Sequence, residues 1–165
     1  MFSTQQDQVK VWLVEGITLL FILLFFYAGL SQLIDGNKFY DNVNNSPILG
    51  GSTIASIAEW MVPMSELMVA FLLTWRKTRL KGMFAVLGLL FIFTGYIIGI
   101  LFYSPYIPCS CGGVIALLSW KQHLLFNTLC IGLAALNIAL LKRKKKGFKK
   151  GINNISTTHQ PKKSF

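Results

Sequence analysis

The sequence predicts an all-α protein, a bundle of four transmembrane helices with both termini in the cytoplasm. Of its 165 residues, 53% are hydrophobic and only 13% are charged, and the mean hydropathy is +0.55. A water-soluble domain of 18.5 kDa has to cover its surface with polar groups, so this composition excludes an ordinary soluble domain and a chain that is disordered throughout. Four apolar stretches give the number of crossings, and two separate basic clusters give their direction.

Each apolar stretch is long enough to cross a membrane, because about 20 residues at about 1.5 Å each span the hydrocarbon layer. The predicted spans are about residues 11–33, 54–75, 82–103 and 124–141. The first span has Glu15 as its only charge, and the third is uncharged. The second is the least apolar, since Glu59, Pro63 and Glu66 interrupt it, and the fourth is the shortest.

Lysines and arginines decide the orientation, because basic loops stay on the cytoplasmic side of a membrane. Four of them lie between the second and third spans, in RKTRLK, and nine follow the fourth span. The segments 34–53 and 104–123 hold one lysine each, so we expect them to be the outer connections. The sequence therefore predicts a multi-pass protein of the inner, cytoplasmic membrane.

The segment 142–165 is predicted to be a basic, disordered cytoplasmic tail, separate from the membrane domain of residues 1–141. We expect its positive charge to anchor the tail on the cytoplasmic side of the membrane and to contact anionic membrane lipid. We expect no nucleic-acid partner for it.

The connection SPYIPCSCGGVIALLSWKQH carries Cys109 and Cys111 at the outer membrane edge. Its prolines and glycines stop helix continuation and permit unusual backbone angles. A Cys-x-Cys pair has its Cα atoms near the separation that a disulfide prefers, but the small ring it closes is strained, and strained, exposed disulfides are the labile ones. A redox-active pair and a static disulfide that clamps the loop both fit these residues. A structural zinc site does not, because it needs four ligands.

Three further side chains are candidates for a supporting role. His123 begins the fourth span, where an imidazolium beside the pair would stabilise a thiolate, or where it is simply an interfacial residue at a helix start. Glu59 and Glu66 lie seven residues apart and share one helix face, and a carboxylate within hydrocarbon is a functional candidate by default. Glu59 lies nearer the cysteine segment and is the better candidate. Alternatively, each carboxyl hydrogen-bonds a neighbouring helix, with Asn127, Tyr96 and Tyr27 as the expected partners.

Cys130 lies in the first half of the fourth span, roughly 10 to 13 Å below the loop thiols, and is predicted to be a buried packing residue. The thiols of this chain therefore offer no relay of electrons to the cytoplasm. Turnover of the pair needs a membrane-soluble carrier such as a quinone, or a protein partner on the same outer face.

These residues together resemble the methylamine utilisation protein MauE family, which belongs to the larger DoxX-like group of four-helix membrane proteins. The resemblance covers roughly residues 12–141. It rests on YAGLSQL at the end of span one, the Pro-x-x-Glu of Pro63 and Glu66, TGYIIGI in span three, and PCSCGG followed by SWKQHLLFN. The last stretch is the specific part.

The resemblance implies a role in maturation of the small subunit of methylamine dehydrogenase, a disulfide-rich periplasmic protein, beside a thioredoxin-like partner. On that basis Cys109 and Cys111 carry thiol–disulfide exchange, and we expect general redox support for an extracytoplasmic partner in the methylamine metabolic process or a related one. A non-enzymatic membrane scaffold subunit is the alternative. A small transporter built around Glu59 and Glu66 is a weaker one.

Overall fold

The computed structural model describes residues 2–46, 50–103 and 120–158, and this part of the chain contains helices and no strand. There are five helices in it. They are α1 (Phe2–Ile34), α2 (Gly36–Asn44), α3 (Ser52–Thr74), α4 (Arg79–Tyr103) and α5 (Trp120–Thr158). The all-α prediction is confirmed.

Four of these helices contain segments long and apolar enough to cross a membrane. The segments are Gln8–Ile34, Ser52–Thr74, Arg79–Phe102 and Lys121–Arg143. Each boundary lies within three residues of the predicted one, because hydrophobic length alone sets these limits. The structure continues α5 through the basic segment to Thr158, where the sequence predicts disorder. Lys and Arg are good helix formers, and extending a helix costs far less than starting one.

The four spans form a closed ring in which α1 packs against α3 and α5, and α4 packs against the same two helices. The core between them takes residues from every span at helical spacings of three or four. Its members are Ile17, Phe21 and Phe25 of α1, Val69, Ala70 and Leu73 of α3, Met83, Val86 and Leu90 of α4, and Cys130, Ala134 and Ile138 of α5. Cys130 is thus the buried packing residue that its position predicts.

Large apolar side chains also cover the outside of the ring. Phe26, Phe71, Phe91 and Leu129 are each more than half exposed. Such a surface is far more apolar than a soluble monomer tolerates, and it suits contact with lipid.

The helix α2 differs from the expectation drawn from the sequence. The segment 34–53, expected to be a plain connection, contains this nine-residue helix. Phe39 and Val43 lie one helical turn apart on it and are buried against Ala55 near the start of α3. At nine residues, α2 is too short for a span, and its apolar residues occupy one face only.

Basic side chains collect at one end of the ring, which we call the basic end. Arg79, at the start of α4, donates from Nη1 to Glu15 Oε1 of α1 at 2.8 Å, and Arg76 Nη2 lies 3.9 Å from the same oxygen. Lys142 of α5 lies over the ring of Phe84, with Nζ 4.9 Å from the centroid. The single charge of the first span therefore has its partner across the bundle.

A buried amide holds α1 and α5 together close to the same end. Asn137 is fully buried, and its Nδ2 donates to the carbonyl of Val14 at 3.3 Å and to Thr18 Oγ1 at 3.2 Å. Hydrogen bonds of this kind between membrane helices contribute about 0.6 kcal/mol on average.

The closest approach of α1 to α3 depends on Gly29. A Cβ atom there would lie 3.0 Å from both the carbonyl oxygen of Pro63 and Cγ of Leu67. Small residues at helix interfaces let backbones of membrane helices come this close.

We expect Gly29→Ala to lower the free energy of unfolding by about 1 to 3 kcal/mol, because a backbone oxygen cannot move aside for the added methyl group. Gly16→Ala on the same helix is the matched control, since its Cβ would meet nothing within 4 Å. Unfolding in mixed micelles, followed by circular dichroism during SDS titration, measures both. Equal stabilities of the two variants would contradict this packing.

Candidate functional site

The predicted redox pair, Cys109 and Cys111, lies outside the described residues. The two helices that flank it are described: α4 ends at Tyr103 and α5 begins at Trp120. Both of these helix ends lie away from Arg79 and Lys142, at what we call the opposite end of the bundle. The segment that carries the two cysteines is therefore attached on both sides at the opposite end.

Glu59 lies at this opposite end, half-buried, where α3 passes the start of α2. Its Oε1 would be 3.1 Å from a Cβ atom at Gly36, the first residue of α2, so the carboxyl group lies against the backbone of that helix. A carboxylate is favoured near the N-terminus of a helix, where the backbone N–H groups give a partial positive charge. Pro63 follows Glu59 by four residues and has no backbone N–H to bond the carbonyl oxygen of Glu59. That oxygen is therefore a second polar group at this position.

His123 is half-buried within the first turns of α5, also at the opposite end. Within the described part of the chain, it forms no hydrogen bond or ion pair with Glu59. Nor does any group of three or more His, Cys, Asp or Glu side chains there lie close enough to hold a metal ion. The structure therefore places both supporting candidates at one end of the bundle without joining them.

Glu66 lies deeper, in the interior of the ring, with only 3% of its surface exposed. Gln32 of α1 donates from Nε2 to Glu66 Oε1 at 3.5 Å. The seven-residue spacing puts both glutamates on one face of α3, but burial separates them: Glu66 contacts the bundle interior, whereas Glu59 contacts α2.

The expected partners of the carboxyls need correction. Glu66 bonds to Gln32, which is not among the partners expected from the sequence. Tyr96 instead donates from its hydroxyl to Ser46 Oγ at 3.0 Å, linking α4 to the end of α2, and Tyr27 is half-exposed on the outside of the ring. The sequence does carry a signal for Gln32, because an amide inside an apolar span also needs a hydrogen-bond partner.

Comparison with known proteins identifies a family. The family model for methylamine utilisation protein MauE matches residues 10–140, which is well over half of the chain and includes Cys109, Cys111, Glu59 and His123. No curated protein and no solved structure gives a match.

Proposed function

The chain belongs to the MauE family, and on that premise we propose that this membrane protein supports thiol–disulfide exchange for an extracytoplasmic partner through Cys109 and Cys111. The family is named for methylamine utilisation. For a protein that serves this process, the client we propose is the small subunit of methylamine dehydrogenase. The membrane is the cytoplasmic one, with the opposite end of the bundle facing outward.

One observation carries the proposal. The Cys-x-Cys segment is attached at both ends to the opposite end of the bundle, whereas Arg76, Arg79 and Lys142 lie at the basic end. Basic segments remain in the cytoplasm, so this arrangement favours an outward-facing thiol pair. An oxidising compartment is where such a pair forms a disulfide.

The exchange proceeds in two substitutions. A thiolate of the client attacks one sulfur of the Cys109–Cys111 disulfide, which forms a mixed disulfide and releases the other cysteine as a thiolate. The client's second thiolate then attacks the mixed disulfide, so the client leaves oxidised, and Cys109 and Cys111 retain two electrons and two protons. Restoring the disulfide of Cys109 and Cys111 would need a two-electron acceptor, and a membrane quinone would supply that chemistry by taking up both electrons and both protons.

The protein partner we propose is a thioredoxin-like or other extracytoplasmic dithiol protein. The same substitutions run in reverse when that partner arrives oxidised. Glu59 and His123 lie at the end of the bundle from which the cysteine segment continues, and we propose that the carboxyl and the imidazole accept or supply the protons that the thiols exchange.

We expect Cys109→Ser or Cys111→Ser to accumulate a mixed disulfide with an oxidised partner, because the remaining thiolate attacks the partner's disulfide, releases one partner thiolate and has no neighbouring cysteine to resolve the adduct. The adduct is measured as a reducible band after acid quenching and alkylation of membranes. In the unsubstituted protein, alkylation before and after reduction should show both dithiol and disulfide forms.

Cys130→Ala is the matched control. It removes a thiol that is buried in the core and leaves Cys109 and Cys111 intact, so this variant should accumulate no adduct. If the pair is fully oxidised under all conditions, no adduct forms, and a double Cys→Ala variant keeps function, the bundle is a scaffold and the exchange is ruled out. Loss of function in Glu59→Gln and Glu66→Gln with an inert cysteine pair would instead favour a transporter.

A further inference from the structure

We propose that Gln32, Glu66 and Asn127 form an internal water-binding site that joins three of the four spans across the middle of the bundle. The ligand is water, held by one carboxyl and two amide groups. This site is separate from the cysteine segment and does not depend on the proposed redox function.

The first support is a set of buried polar atoms that have no hydrogen-bond partner among the described residues. Each span supplies at least one of them. They are Gln32 Oε1 of α1, Glu66 Oε2 of α3, Thr94 Oγ1 of α4, and Asn127 Nδ2 and Asn137 Oδ1 of α5. Glu66 is 3% exposed and Asn127 is 4% exposed, so bulk solvent reaches neither. Leaving one such atom unsatisfied costs about 1 to 3 kcal/mol.

The second support is that the side chains of the proposed site lie at one depth. Asn137 of α5 bonds to Thr18 of α1, and Asn127 lies ten residues, or about 15 Å, from it towards the opposite end. On α1, Gly29 lies about 16 Å from Thr18 in the same direction and contacts Leu67, the residue after Glu66. Glu66 and Asn127 are therefore nearly level in the bundle.

The ring arrangement turns these two side chains towards one another. α3 and α5 are opposite members of the ring, since α1 and α4 each pack between them. Because Glu66 and Asn127 are both buried, both face the space between the helices. They do not bond directly, and Gln32 reaches the same space from α1, where it bonds to Glu66.

Water is the ligand that fits this set of atoms. Asn127 Nδ2 is a donor, whereas Gln32 Oε1 and Glu66 Oε2 can accept, so a water between them accepts one hydrogen bond and donates two. Buried waters in proteins make about three hydrogen bonds to otherwise unsatisfied groups.

Gly82 of α4 lies beside Leu73 of α3. Thr94 is twelve residues from Gly82 and Glu66 is seven residues from Leu73, both in the direction of the opposite end. Thr94 therefore lies roughly 8 Å nearer the opposite end than Glu66, where it can extend the hydrated region.

Asn137 provides the internal comparison. It is as deeply buried as Asn127 and lies on the same helix, but its Nδ2 donates to Val14 and Thr18. Because Asn137 Oδ1 also lacks a partner, the comparison is made at the nitrogen: Asn137 Nδ2 donates two hydrogen bonds to protein, whereas Asn127 Nδ2 has no acceptor among the described residues.

The test is water-edited solid-state NMR on the full chain in lipid bilayers, with 15N-labelled asparagine. We expect the side-chain amide of Asn127 to receive magnetisation from water several-fold faster than that of Asn137. The two signals are assigned by their disappearance in Asn127→Leu and Asn137→Leu. Equal rates of transfer to the two amides would overturn the proposal, and this measurement needs no substitution at Glu66.

Two substitutions at Glu66 locate the water. Glu66→Gln keeps an acceptor in place and should leave the fast transfer to Asn127 unchanged. Glu66→Leu removes the acceptor and should lower that transfer to the rate of Asn137. Fast transfer that persists in Glu66→Leu would mean that water reaches Asn127 by another route, and Glu66 would then not be part of the site.

Discussion

Replacing Glu15 by Gln is expected to lower the free energy of unfolding by about 2 to 4 kcal/mol, because it leaves the guanidinium of Arg79 without its counter-charge. The Arg79 side chain is only 11% exposed, whereas that of Glu15 is 37% exposed. This expected loss is at or below the loss usually measured when a buried ion pair is broken, because water partly screens the Glu15 carboxylate. The measurement is again unfolding in mixed micelles.

A double-mutant cycle separates the pair from its surroundings. Arg79→Gln alone leaves Glu15 near Arg76, at 3.9 Å, and should cost less than Glu15→Gln. The double variant should be more stable than the sum of the two losses predicts, since neither charge is then left unpaired. Lys38→Gln is the matched control, because its pair with Asp35 is exposed, and it should change stability by less than about 0.5 kcal/mol. Strict additivity in the cycle would contradict a coupled pair.

Phe21→Ala is expected to cost about 3 to 5 kcal/mol, as truncation of a buried phenylalanine commonly does. Phe21 is fully buried in the core among residues from the other spans. Lipid cannot fill the space that the ring leaves, so the neighbouring side chains lose their dispersion contacts. Thermal denaturation of the purified protein in a fixed detergent gives the rank order, and chemical unfolding gives the magnitude.

The matched control is Phe26→Ala, on the same helix and with the same change in volume. Phe26 is 52% exposed on the outside of the ring, where lipid or detergent replaces the lost contacts. Its substitution should cost less than about 1 kcal/mol. Equal losses of stability in Phe21→Ala and Phe26→Ala would mean that α1 is rotated about its axis from the orientation described above, and would contradict this core.

The membrane domain could be predicted closely from the sequence, because each span is defined by a long run of residues with one property. The end of α3 at Thr74 follows from where RKTRLK interrupts the apolar run, whereas α4 begins at Arg79, inside that basic segment and three residues before the predicted span. The helix α2 could not be predicted in this way. Its nine residues pack mainly against α3, and a contact between separate segments leaves no periodic signal long enough to recognise.

For the candidate site residues, too, position along a span could be predicted, whereas contacts between spans could not. The position of Glu59 and His123 towards one end follows from counting along the predicted spans. The partner of Glu66 does not, because Gln32 is 34 residues away in the chain and only the packing of α1 on α3 brings them together. The length of Asn and Gln side chains allows several such pairings in a bundle, so choosing among them needs the rotation of each helix about its axis.

The separation of Glu15 from its partner bears on how the protein is made. Arg79 follows Glu15 by 64 residues, so the ribosome completes the first span and the second before Arg79 is made. The contact between Arg79 and Glu15 can therefore form only after both of these spans have been synthesised. We expect this end of the bundle to close late in biogenesis, when the α3–α4 turn reaches the first helix.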